Sequence, residues 1–137
     1  YEGEPEDYRP VLIEPGKYPA ELVDWSKEYS RQFRKLTLVM NFRIGADVIP
    51  SWFNIEPSDS ETTVKAGWKS NFLRMYQECL NVRLDRRDRI SMKPFAGRML
   101  EVEVASITRD SDGSLMSEVN HYSRVKKILG VREEVTY

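Results

Sequence analysis

Cysteine and histidine are nearly missing from this 137-residue chain, which holds only Cys79 and His121. One cysteine excludes an intramolecular disulfide, so the fold must rest on its apolar core, and it fits a reducing compartment. One Cys and one His far apart in sequence make a poor zinc site. No glycine-rich phosphate loop, metal-ligand spacing or nucleophile elbow is present either, which leaves little for an enzyme to work with. No apolar run approaches the roughly 18–20 residues that cross a membrane, and no signal-peptide pattern is visible. These absences predict one soluble, cytoplasmic, non-enzymatic domain with no cofactor and no metal.

Positive charge is also in short supply overall, since the net charge is −1. The distribution tells more than the total. Residues 1–14 carry Glu2, Glu4, Glu6, Asp7 and Glu14 against Arg9 alone, a net of −4, so the remainder sums to +3. Residues 1–15, with Pro5, Pro10 and Pro15, read as an acidic extended arm. It is either a solvated tail or a cover for a basic groove. Val11, Leu12 and Ile13 would let it add an edge strand or pack on the domain.

What the chain does have is alternation. In 16–25, Tyr18, Ala20 and Leu22 alternate with Pro19, Glu21 and Val23, the period of a half-buried strand. Pro19 cannot donate to a ladder, so that end should be an edge or a bulge. The polar stretch 26–32 reads as a connection. In 33–44, Leu36, Leu38, Met40, Phe42 and Ile44 face one way, and Lys35, Thr37, Val39, Asn41 and Arg43 the other. After a turn at Gly45, a third strand at 48–55 sends Ile49, Phe53 and Ile55 inward and Val48, Pro50, Trp52 and Asn54 outward. A helix is predicted over about 67–82, with a core stripe of Trp68, Phe72, Met75 and Cys79. An arginine-rich stretch at 83–98 follows. A fourth strand at 98–108 points Glu101 and Glu103 outward, a turn contains Asp112 and Gly113, and a fifth strand occupies about 118–129.

Three strands, one helix and two strands is the layout of a mainly β, five-stranded OB-like barrel with one α-helix between strands 3 and 4. The commonest work of that fold is holding single-stranded nucleic acid, which needs cations for phosphates and flat rings for bases. The candidate stacking rings are Trp52 and Tyr122, and the candidate phosphate partners are Arg31, Arg34, Lys35, Arg43, Arg124 and Lys126. The plain competing reading packs Trp52 under the N-terminal arm and treats the cations as solubilising charge. Asp110 and Asp112 suit a turn better than a metal site. His121, beside Tyr122 and Ser123, reads as a packed or hydrogen-bonded strand residue rather than a general base.

The segments GKYPAELVDW, KLTLVMNFRI, PSWFNI and NHYSRVKKIL carry a family likeness. Over residues 16–130 the chain resembles small OB-like single-stranded-DNA-binding proteins of phages and mobile elements, often described only as domains of unknown function. Those begin with a Gly-x-Tyr-x-Ala-x-(Leu/Ile) strand and end near Tyr-Ser-x-Val-x-x-(Ile/Leu)-Leu, here Tyr122 to Leu129. The resemblance implies a bacterial host cytoplasm and a role in DNA replication or recombination. It also implies single-stranded DNA as ligand and replication or recombination proteins as partners, with a homo-oligomer left open. Residues 131–137 would be a C-terminal tail. The alternative is a protein-interaction adaptor on the same scaffold, without nucleic-acid binding.

Overall fold

The computed structural model describes residues 11–109, 113–116 and 121–132. The expectations for the acidic residues 2–7, for Asp110 and Asp112 and for the end of the tail lie outside the described residues. The long strands are β1 (Gly16–Ser30), β2 (Lys35–Ile44), β3 (Asp47–Asn54), β6 (Met99–Ile107) and β7 (Tyr122–Val131). Between β3 and β6 lie the short β4 (Thr63–Val64), the helix α1 (Asn71–Leu80) and the short β5 (Ile90–Ser91). The long strands form one antiparallel sheet in the order β3-β2-β1-β6-β7, and β4 pairs with β5.

A closed barrel is not found. Among the described residues no backbone ladder joins β3 to β7, although the two edges lie side by side. Register shifts in β1 at Leu22/Asp24 and twice along the β6–β7 pair coil the sheet and bring its edges together. Part of the β7 edge is already taken. The Ser123 N–H donates to the Val11 carbonyl at 2.8 Å, and the Ile13 N–H donates to Ser123 Oγ at 2.8 Å. The arm therefore does pack on the domain, with Val11 and Ile13 against the core.

The alternation of β2 is realised in full on one side: Leu38, Met40, Phe42 and Ile44 are buried. They meet Ala20, Ile49, Leu100, Val102, Val104, Val125 and Ile128 from the other strands. Val39, expected on the surface, is also buried, because Trp52 stands opposite it in the ladder. Both prolines fall where the strand pairs on one side only. Pro50 lies on the edge strand β3, and at Pro19 β1 pairs only with β6, since its ladder to β2 begins at Glu21.

The stretch 26–32 is not a connection. β1 continues to Ser30, and Lys27, on the inner side, donates from Nζ to the Ser60 carbonyl at 2.8 Å. A polar sequence holds a strand here because its ladder to β2 satisfies the backbone. The turn is Arg31 to Arg34, with Arg34 at φ +51°.

The helix is shorter than its predicted range. Ser70 caps it, its Oγ accepting from the Leu73 N–H at 3.1 Å. Asn81 ends it in the left-handed conformation at φ 54°. Trp68 therefore lies before the helix and is 50% exposed, not part of the core stripe. Phe72, Leu73, Met75, Tyr76 and Cys79 do form that stripe. Phe72 packs its ring 5.6 Å from Phe53 of β3 and 5.9 Å from Tyr76, and Tyr76 is 5.5 Å from Phe95.

Burial pushes the Cys79 thiol from its ordinary 9.0 up to about 11, against the pull of Arg98. A raised pKa in the fold means stability that is present below pH 9 and is lost as pH rises through about 11. Wild type will therefore lose more melting temperature between pH 8.5 and 11 than Cys79→Ala does. Equal losses in thermal melts would contradict this.

Candidate nucleic-acid interface

The period of β3 turns Val48, Pro50, Trp52 and Asn54 away from the core, and Trp52 is 40% exposed. Tyr122 opens β7 at the opposite edge of the sheet. The coiling brings the two rings together edge to face, with centroids 6.2 Å apart and planes at 89°. Such a pair is held by ring quadrupoles and leaves ring faces free. Trp52 is not fully covered, and residues 1–10 of the arm lie outside the described residues.

Arg124 stands two residues beyond Tyr122, opposite Ala105 in the ladder, and is half-buried. Its Nε is buried without a partner among the described residues. Leaving such a donor unpaired costs about 1–3 kcal/mol. Lys126 is the extra residue of a bulge, since Val125 pairs with Val104 and Lys127 with Glu103. The bulge aims Lys126 and Lys127 into solvent along the sheet edge.

Between the β3 edge, the β7 edge and α1 runs a groove of about 1070 Å³. Its walls carry Trp52, Phe53, Arg124, Lys126 and Lys127 from the sheet and Lys69, Arg74 and Glu78 from the helix side. Five cations thus face one carboxylate, and none of the five is ion-paired among the described residues. Three of them, Lys69, Arg74 and Lys127, are additions to the sequence-predicted set. The polar side of the helix is readable from spacing, but which strand edges it faces depends on the coiling of the sheet. A second cavity, of about 810 Å³, lies beyond the C-terminal end of α1 between Glu21, Arg98 and Arg132. Among the described residues no aromatic ring lines it to stack a base.

The remaining predicted residues divide into two places. Arg31, Arg34 and Lys35 are exposed together at the β1–β2 turn, beside Tyr29 (60% exposed) and Phe33 (54%). Phe33, expected inside a strand, is thus part of an aromatic and cationic tip. Arg43 is elsewhere. It lies four residues along β2 from Val39, the partner of Trp52, on the side away from Lys35. That is about 13 Å from Trp52 at strand spacing, as Lys35 is on the other side, so the two cations lie about 26 Å apart and what sets Arg43 aside is its partner. Its guanidinium is 3.7 Å from the Glu21 carboxylate. The fold does not bring Arg43 to the aromatic pair.

Two arginines of the stretch after the helix are already paired. Arg86 donates to both Asp88 carboxylate oxygens, at 2.8 and 2.9 Å, and that bond holds the Asp88 carboxyl down at about 2. Arg87 donates to Glu56 at 2.9 Å. The His121 ring sits with Nε2 3.1 Å from the Met116 carbonyl; a carbonyl only accepts, so Nε2 carries the proton in that contact. Among the described residues no group of three or more His, Cys, Asp or Glu is placed to hold a metal ion. No helix among them is long and apolar enough to cross a membrane. Compared with known protein families, curated proteins and solved structures, the chain matches none.

Proposed function

We propose that this chain is a non-enzymatic single-stranded-DNA-binding protein on an OB-like scaffold, serving phage or mobile-element replication or recombination. The strand order β3-β2-β1-β6-β7 supports the scaffold. In an OB barrel the first strand neighbours the second and fourth, the third follows the second, and the outer strands converge. One observation carries the binding reading. Trp52 and Tyr122, from opposite edges of the sheet, meet at 6.2 Å beside Arg124, whose Nε lacks a partner among the described residues. Bases would stack on the two rings, while Arg124 and Lys126, with Arg31, Arg34 and Lys35 at the tip, would neutralise phosphates. The mobile-element setting rests on the family resemblance. Sequence preference is expected to be weak, because every base offers a π-face.

Fluorescence anisotropy with labelled single-stranded and duplex DNA of equal length, at two salt concentrations, tests this. Single strands will bind more tightly than duplex and lose affinity as salt rises. No binding to either would overturn the proposal in favour of a protein-interaction adaptor.

A further inference from the structure

The stacking pair fixes where bases would sit but not which way the strand runs from it. Two directions are closed by charge. Across the outer face of the sheet lie Glu21, Asp24 and Glu28 on β1, then Glu101 and Glu103 on β6. A polyanion crossing there would pass carboxylates repeatedly. Toward the far end of β2 the cation is Arg43, which already faces Glu21 at 3.7 Å.

The third direction is open. Trp52 itself lines the groove between the sheet edges and α1, so a strand stacked on it already stands at the groove's mouth. On the outer side of β2, Thr37 lines the same groove, two residues from Lys35 at the turn. Thr37 thus stands between the cationic tip and the groove that Trp52 lines. Inside the groove, Lys69 precedes the Ser70 cap and Arg74 lies one turn further along the exposed side of the helix. Lys127 lines the same groove from β7, with Glu103 its partner in the ladder. Among the described residues Glu78 is the single carboxylate on the walls.

Resting on the binding reading above, we infer that the strand runs through this groove, with Lys69, Arg74 and Lys127 neutralising successive phosphates. The helix is then a wall of the site as well as a cover for the core. Because the cations come from both walls, they flank a backbone rather than a single anion. The occupant that fits is an extended single strand; a stiff duplex would meet only one wall.

The test is the dependence of log affinity on log salt concentration for oligo-dT. Each phosphate contact on a single strand contributes a slope of about 0.7. Lys69→Ala/Arg74→Ala will flatten the slope by about 1.4, and Lys127→Ala, on a different element, by about 0.7. All three side chains are exposed, so the variants will melt as wild type does. Arg43→Ala will keep the wild-type slope. If wild type binds oligo-dT and these variants keep its slope, the groove path is wrong while the stacking site stands. If wild type does not bind single strands at all, both fall together.

Discussion

Trp52→Ala and Tyr122→Ala will each weaken binding to oligo-dT by about 1–3 kcal/mol, or roughly 5- to 150-fold, the usual worth of a base stacked on an aromatic ring. Neither change will carry a large stability cost. Trp52 is 40% exposed, and Tyr122 is half-exposed at the start of its strand. The double variant will lose less than the sum of the two. Their rings touch at 6.2 Å, so removing one already disturbs the platform that the other completes. The salt slope will stay near wild type in all three, because the rings neutralise no phosphate. Binding isotherms at several salt concentrations check both parts. Unchanged affinity in the single variants would remove the aromatic pair from the site.

Phe72→Ala will have the largest effect on stability, about 3–5 kcal/mol. The ring is fully buried and is wedged between Phe53 at 5.6 Å and Tyr76 at 5.9 Å. Its removal empties the point where α1 seats against β3, and neighbours held by the sheet cannot collapse into the space. The urea midpoint will fall with an unchanged slope, and the melting temperature will drop by roughly 10–20 °C. A loss below about 1 kcal/mol would mean that the helix is not held as described. The same seat positions Lys69 and Arg74 over the β7 edge, so core packing and the proposed groove depend on one contact.

The sequence is most legible where one physical demand dominates. The alternation of β2 had to bury Leu38, Met40 and Phe42, and it does, leaving Lys35 and Arg43 exposed. The order of long strands and the position of the helix follow from such local patterns. Legibility fails where distant segments decide the outcome. Residues 26–30 look like a loop because they are polar, yet a ladder to β2 and the Lys27 bond to Ser60 make them strand. Trp68 shares the helical spacing of Phe72 but lies outside the helix, because Ser70 is the better cap. The segment count predicts a closed barrel, whereas residues 11–13 bond to Ser123 on the β7 edge and, among the described residues, no ladder joins β7 to β3.

The candidate site divides the same way. Trp52 stood out in the sequence as an aromatic ring on the side away from the core, and the structure exposes it. Its meeting with Tyr122 could not be read from spacing, since it depends on how far the sheet coils. Nothing in the local sequence around Lys69, Arg74 and Lys127 marks them as more than surface cations. Only the convergence of α1 with the two sheet edges makes them one groove. Arg43 is the opposite case, a cation on the expected side of β2 that register carries to the wrong end and to Glu21.

The central claim is that DNA bases stack on Trp52, and the intrinsic fluorescence of the chain's three tryptophans reports on it directly. Titrating oligo-dT into the wild-type protein will quench part of the emission in a saturable way. In Trp52→Phe that quench will shrink, leaving at most the part that Trp68 beside Lys69 contributes, while anisotropy still detects binding, because phenylalanine offers a smaller ring to stack on. An undiminished quench in Trp52→Phe, or none in wild type under conditions where the strand is bound, would contradict the account.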